Sequence, residues 1–174
     1  MTPEFSRTER VDGVGSAEKM VELSAKPDER AALAKRFDLL AVDRLEAWFA
    51  LRREAAGVAA RGRVTADVVQ ACSVTGEPIR TRVDEPAELL FVPKLGGDGG
   101  EEVELSADAL DVVPYEGGRI DLGEAAAETM ALALDPFPRS PAAADALREA
   151  GVLSEEDARP AGKLAGLGDL LKKR

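Results

Sequence analysis

The sequence predicts an α+β fold, in which a curved antiparallel sheet, built as a meander or a partly open barrel, carries packed helices and a helical C-terminal tail. Residues 45–53, 58–72 and 79–93 alternate apolar and polar side chains, a pattern typical of half-buried strands. The links between these segments are short, and short links join antiparallel strands rather than parallel ones. Helical spacing on either side of the strands supplies the helices.

A strand and a helix are predicted ahead of the long strands. Residues 18–24 have the composition of a short strand, and residues 27–37 have helical spacing with Ser24 or Asp28 as the N-cap. Within the third long strand, Pro86 removes a backbone donor, which predicts either a bulge or an edge position at that residue.

A second helix is predicted after the long strands. Short strands over 109–113 and 118–121 come before it, and Asp121 is placed to cap its first turn. Glu124 follows three residues later, which is the spacing of a capping box. The helix is expected to end at Asp135, because a proline follows.

The chain is predicted to divide into an α+β core over 1–136 and a short helical, partly mobile tail over 137–174. The acidic, Gly-rich segment 94–106 is interpreted as a flexible loop of the core. In the tail, AAADALREAG predicts one short helix closed by Gly151, and KLAGLGDLLKKR predicts a second amphipathic segment.

Composition excludes several classes of function. The chain has no histidine, which excludes Ser-His-Asp and Cys-His catalytic arrangements and most catalytic zinc sites. The polar N-terminus and the lack of a long apolar run predict a cytoplasmic protein that does not bind membranes. A net charge of −10 disfavours non-specific binding to nucleic acid. We expect no cofactor and no enzymatic activity.

Two pairs of arginines depart from this acidic balance. They are Arg61 with Arg63, and Arg80 with Arg82. Members of a pair stand two residues apart, so both pairs lie on the polar face of the predicted sheet. Guanidinium groups on a sheet face suit phosphate contacts, and Trp48 would add a surface for base stacking. The competing interpretation is an ordinary polar face, balanced by Glu46, Asp67 and Asp84.

The single cysteine, Cys72, stands at the end of a predicted strand. It shares the apolar side of that strand with Val64, Ala66 and Val68, which predicts that it packs in the core. The alternative is a thiol enzyme in which an arginine of the next strand lowers the pKa of Cys72. Cys72→Ser would then abolish function and leave the fold intact, whereas core packing predicts a cost in stability and little else.

Three stretches of the chain, taken in order, resemble the YceD family. They are QACSVTGEP after an alternating strand, GGRIDLGEAAAETMALALDPFP, and the terminal KLAGLGDLLKKR. The resemblance covers most of residues 60–174. It rests on Cys72 and Pro78 in the turn, on Ile120, Asp121, Leu122, Glu128, Leu132, Ala133 and Leu134 around the helix, and on residues 167–173.

The resemblance implies a role in the accumulation of large-subunit (23S) rRNA, and hence in ribosome assembly or rRNA processing, without catalysis. Many members of the family carry Cys-x-x-Cys at the turn, which would suit zinc. Here the turn begins at Cys72, and Thr75 stands where the second cysteine of that motif would be. Glu77 and Pro78 complete the turn. A structural zinc site needs four nitrogen or sulfur ligands, and the chain offers only one, because it has a single cysteine and no histidine. No metal is therefore predicted.

Two hypotheses of function follow. In the first, a non-catalytic factor binds large-subunit rRNA or a pre-ribosomal particle through the arginine face, and the acidic loop limits indiscriminate binding or holds a basic ribosomal protein. In the second, an acidic adaptor captures a basic ribosomal protein or an RNase without touching RNA. Replacing all four arginines by Glu should abolish RNA association in the first case and leave partner capture intact in the second.

Overall fold

A computed structural model describes residues 3–94 and 111–152, which form two sheets and three α-helices. In chain order the elements are β1 (Thr8–Arg10), β2 (Lys19–Ser24), α1 (Pro27–Arg36), β3 (Ala41–Arg53), β4 (Val58–Ala71), β5 (Pro78–Pro93), β6 (Asp111–Tyr115), β7 (Arg119–Asp121), α2 (Leu122–Leu132) and α3 (Ala143–Glu149). A single 3₁₀ turn, Val11–Gly13, follows β1. The predicted α+β class is confirmed.

The main sheet is open and has the strand order β2-β3-β4-β5-β6. Strands β3 to β5 form the predicted antiparallel meander, and β2 pairs with β3, also in the antiparallel sense. Strand β6 pairs with β5 in parallel, so the prediction of a wholly antiparallel sheet is wrong at this edge. A parallel partner needs a crossover of a dozen residues or more, and the stretch between β5 and β6 is long enough to supply one.

The core lies between the inner face of the main sheet and the helices α1 and α2. The alternation predicted for the strands is confirmed, because every second residue of β3 from Leu45 to Leu51 is buried, and the same alternation recurs over residues 64–70 of β4 and 87–91 of β5. The largest buried side chains include Phe49, Phe91, Leu33, Leu122 and Met130. The opposite side of the main sheet, which we call the outer face, therefore carries the polar side chains.

The N-terminal segment belongs to this core, which the polar character of the segment did not predict. Phe5 is fully buried, and β1 pairs with β7 in a separate two-stranded sheet. The Asp121 carboxylate accepts hydrogen bonds from the backbone N–H of Arg7 at 2.8 Å and of Gly123 at 3.0 Å. One side chain thus caps α2 and holds the N-terminal segment.

The capping predictions are only partly correct. Asp121 caps α2 as predicted, but Glu124 completes no capping box, because its carboxylate binds the Arg36 guanidinium at 2.6 Å. Helix α1 begins at Pro27, so Ser24 and Asp28 are not its N-cap. The Glu29 carboxylate instead accepts the backbone N–H of Lys26 at 2.7 Å.

The edge position predicted at Pro86 is confirmed. Strand β5 runs through Pro86 without a break, but β6 pairs only with Leu89–Pro93. Among the described residues no strand therefore pairs with Pro86 on that side of β5, where a missing donor is tolerated. The irregularity in register lies instead in β3, between Val42 and Arg44.

Several predictions fall at or beyond the limits of the described residues. The acidic loop, apart from Lys94, and the terminal KLAGLGDLLKKR segment lie outside them. Helix α3 and the left-handed Gly151, with φ of 78°, match the predicted short helix and its glycine stop. The division at residue 136 stays a prediction. Within 3–94 and 111–152, no helix is long and apolar enough to cross a bilayer.

Candidate functional site

The outer face brings together the five residues predicted to contact RNA. The register pairs Arg63 with Trp48 on β3, and the strand alternation places Arg61 on the same side. Arg82 lies opposite Asp67, and Arg80 stands two residues before it on β5. All five side chains are exposed. Their role in RNA binding stays a prediction.

Trp48 is the large apolar group at the centre of the outer face, and its side chain is 44% exposed. Its neighbours in register are Arg63 on β4 and Glu22 on β2. They border a shallow depression of about 490 Å³ lined by Glu22, Leu23, Ser24, Glu46, Ala47, Trp48, Arg63 and Thr65. The depression has one aromatic surface and one cation, the two groups that stacking on a nucleobase and contact with its phosphate require.

Carboxylates already neutralise most of the outer-face arginines. Arg63 binds Asp84 at 2.6 Å, Arg80 binds Asp43 at 3.3 Å, and Arg61 binds Glu54 at 3.3 Å. Among the described residues, no carboxylate lies within ion-pair distance of Arg82. The face is therefore not a strongly positive patch. These pairs are solvent-exposed and are worth about 0–1 kcal/mol each, so a phosphate can displace the carboxylate at small cost.

The Cys72 turn connects the end of β4 to the start of β5 at Pro78. The backbone N–H of Gly76 donates to the carbonyl of Cys72 at 2.9 Å, and the N–H of Cys72 donates to the carbonyl of Glu77 at 2.8 Å. Gly76 has a φ of 74°, a conformation that glycine adopts without strain. Cys72 is buried, as the sequence predicted, although it lies outside the main hydrophobic cluster.

This turn fastens the segment that follows α2. The Cys72 sulfur accepts the backbone N–H of Thr75 at 3.4 Å and that of Ser140 at 3.3 Å. The Ser140 hydroxyl donates to the Glu77 carboxylate at 2.9 Å, and Thr75 donates to the same carboxylate at 3.0 Å. Sequence reasoning missed Ser140, because it stands far from Cys72 in the chain and no local pattern marks it.

The hydrogen bond from the Ser140 N–H, with those from Thr75, lowers the pKa of the Cys72 thiol to about 6. The arginines of β5, which the thiol-enzyme alternative invoked, are not the cause of this shift. The sulfur thus accepts two backbone hydrogen bonds, and both favour its thiolate form over the thiol. Across the described ranges 3–94 and 111–152, no cluster of three or more His, Cys, Asp or Glu side chains could hold a metal ion.

The lowered pKa predicts a pH-dependent stability. Because the folded pKa of about 6 lies below the usual pKa of 9.0 for a free thiol, the thiolate favours the folded state. The contribution of Cys72 is therefore complete above pH 9 and is lost as the pH falls towards 6. We expect wild-type protein to gain stability over the Cys72→Ala variant as the pH rises through this window, as measured by urea unfolding at each pH. A constant difference between the two proteins would contradict the assignment.

Comparison with known proteins places the chain in one family. The family model described as large ribosomal RNA subunit accumulation protein YceD matches residues 60–171. The match covers most of β4, the Cys72 turn, β5 and α2, whereas Trp48 lies before it. No curated protein and no solved structure matches the chain. Because the family model matches well over half of the sequence, the chain belongs to the YceD family of large ribosomal RNA subunit accumulation proteins.

Proposed function

We propose that the protein supports large-subunit rRNA accumulation in the cytoplasm as a non-catalytic factor that binds rRNA, or a pre-ribosomal particle, through its outer face. The observation that carries this proposal is the placement of Trp48 beside Arg63 on a face that also holds Arg61, Arg80 and Arg82. The family description supports the pathway, since it names a large ribosomal RNA subunit accumulation protein.

The energetics of the outer face favour selective over general binding. Stacking of a base on an aromatic side chain contributes about 1–3 kcal/mol, so Trp48 supplies a contact that does not depend on net charge. Each phosphate that binds Arg63 or Arg80 must displace Asp84 or Asp43. Double-stranded RNA gains little from such an exchange, because its bases stay stacked in the helix, whereas an RNA that presents an unstacked base to Trp48 gains both the stacking and the phosphate contact.

The salt dependence of RNA binding tests this proposal. We expect the double variant Arg63→Gln with Arg80→Gln to bind a transcript of the large-subunit rRNA more weakly than wild type. Because each lost phosphate contact reduces the slope of log K against log salt by about 0.7–0.9, the double variant should lose about 1.5 from that slope. Filter binding over a range of salt concentrations measures both quantities.

A matched control removes two arginines elsewhere. Arg10 and Arg148 are also exposed and ion-paired, to Asp12 at 2.5 Å and to Asp145 at 2.7 Å, but neither lies on the main sheet. Arg10→Gln with Arg148→Gln should therefore keep the wild-type slope. An equal loss in both double variants would show that the protein attracts RNA only through its overall charge, and the outer face would not be the site.

The alternative function is an adaptor that binds a basic ribosomal protein or an RNase and never contacts RNA. The observation that favours it is the neutralisation of three of the four outer-face arginines by Asp84, Asp43 and Glu54. Ultraviolet crosslinking in cells separates the two functions. Reads clustered in one region of the large-subunit rRNA support direct binding, whereas background reads from an intact, expressed protein support the adaptor.

A further inference from the structure

A second surface, away from the outer face, has the features of a protein-binding site. A groove of about 540 Å³ lies between the end of α1, the end of β4 and the chain that leaves α2. We call it the exit groove. Its lining includes Asp38, Leu39, Ala131, Asp135, Pro136 and Pro138. Most of its lining is apolar, and the Cys72 turn forms part of one wall.

The walls of the exit groove are held in place by long-range hydrogen bonds. The buried Gln70 side chain donates to the carbonyl of Asp135 at 2.9 Å and accepts the Thr81 hydroxyl at 3.2 Å. The backbone N–H of Ser73 donates to the carbonyl of Pro138 at 2.8 Å. The groove is therefore formed before any partner binds, which lowers the entropic cost of binding.

Exposed apolar side chains stand next to lining residues of the exit groove in the sequence. Leu132, next to Ala131 of the lining, is 87% exposed, and Phe137, between two lining prolines, is 70% exposed. Leu40 follows Leu39 and is also exposed. Scattered single apolar residues are normal on a protein surface, but each of these three stands next to a lining residue in the sequence, so they add exposed apolar surface close to the groove.

The charge of the exit groove restricts what can occupy it. Its only charged lining residues, among the described ones, are Asp38 and Asp135. The Asp38 carboxylate makes no hydrogen bond or ion pair within the described part of the chain, so it is free to accept one. A groove lined by two carboxylates and, among the described residues, by no cation repels RNA phosphates, and a net charge of −10 opposes association with a second copy of the chain. A basic partner is complementary.

We propose that the exit groove binds an amphipathic, basic segment of a protein partner. Apolar side chains of the segment enter the groove between Phe137 and Leu132, and its Lys or Arg side chains reach Asp38 and Asp135. The proposal does not depend on RNA binding by the outer face, because the depression beside Trp48 and the exit groove share no lining residue. A protein with both surfaces would hold a basic protein and an RNA at the same time.

A labelled synthetic peptide tests the proposal on the full chain. The probe is an amphipathic helix of Leu and Lys, and its binding is followed by fluorescence anisotropy. We expect Leu132→Ser with Phe137→Ser to weaken binding about tenfold or more, since two desolvated apolar contacts are lost. Both side chains are largely exposed, so the double variant should fold normally. Asp38→Asn, which keeps a residue tolerant of its positive φ, should weaken binding at low salt.

The controls separate the exit groove from general attraction of a cationic peptide. Met20 is 59% exposed on the outer face, so Met20→Ser matches the loss of an exposed apolar side chain and should leave binding unchanged. A Ser/Lys peptide of the same charge and a Leu/Glu peptide should both bind at least tenfold more weakly than the Leu/Lys peptide.

Several results would overturn the proposal. The first is that the Leu/Lys peptide does not bind, and the second is that wild type and the Leu132/Phe137 double variant bind it equally well. The third is that wild-type protein forms dimers and the double variant is monomeric. A loss of rRNA binding in the groove variants would assign the groove to RNA instead. Outer-face variants with Arg63→Gln and Arg80→Gln should bind the peptide normally, so failure of the RNA proposal and failure of this one are distinguishable.

Discussion

Gly62→Ala is expected to lower the free energy of unfolding by about 3 kcal/mol or more, because β3 and β4 approach too closely to admit a side chain there. A Cβ added at Gly62 would overlap the carbonyl oxygen of Trp48 and lie 3.0 Å from the Cα of Phe49. Both obstacles are backbone atoms, which cannot rotate away as the end of a side chain can. Relief requires the two strands to separate at the centre of the main sheet.

The separation should also disturb the candidate site, since Trp48 and Arg63 flank the contact on the outer face. For a domain of this size, about 3 kcal/mol corresponds to a fall of roughly 10 °C in Tm. Calorimetry of Gly62→Ala and of wild type measures this fall in Tm. Gly13→Ala is the matched control, because no heavy atom lies within 4 Å of its added Cβ. If both variants melt at the wild-type temperature, the strands can accommodate a side chain at Gly62 and the argument is wrong.

The strands of the meander could be predicted from sequence because their pattern is local. A residue in a strand points to the same side as the residue two places away, so the apolar positions of β3 and β4 identify the inner face without knowledge of the fold. The same rule predicts that the arginine pairs lie on the outer face. It cannot identify the carboxylates beside them, since Arg80 meets Asp43 from a distant strand.

Contacts between segments far apart in sequence account for what could not be predicted. Ser140 approaches Cys72 only because α2 returns the chain to the end of β4, and no spacing rule connects the two residues. The parallel pairing of β6 and the ion pair that diverts Glu124 to Arg36 have the same origin. The local sequence allowed β6 to pair in either direction and Glu124 to bind either the backbone or an arginine, and tertiary packing selected one outcome in each case.

The N-terminal segment shows the same limit most clearly. Its polar residues predict neither a strand nor a place in the core, and Phe5 is a single aromatic residue without periodic neighbours. In the structure the N-terminal segment packs against α2. A Cβ added at Gly123 of that helix would lie 2.5 Å from the Phe5 carbonyl oxygen. The Arg7 guanidinium lies 4.7 Å from the centre of the Phe5 ring. The segment is therefore expected to contribute to the stability of the whole core.

Phe5→Ala should consequently cost about 3–5 kcal/mol, the range for truncating a buried phenylalanine to alanine. The side chain is 0% exposed, so its loss leaves a cavity that the backbone contact between Phe5 and Gly123 keeps from collapsing. Phe137→Ala makes the same chemical change at a side chain that is 70% exposed, and it should alter stability by no more than about 0.5 kcal/mol. Urea unfolding of the two variants beside wild type gives both values. A similar small loss in both would mean that the N-terminal segment rests on the core without being part of it, and that removing it would leave the main sheet and α2 stable.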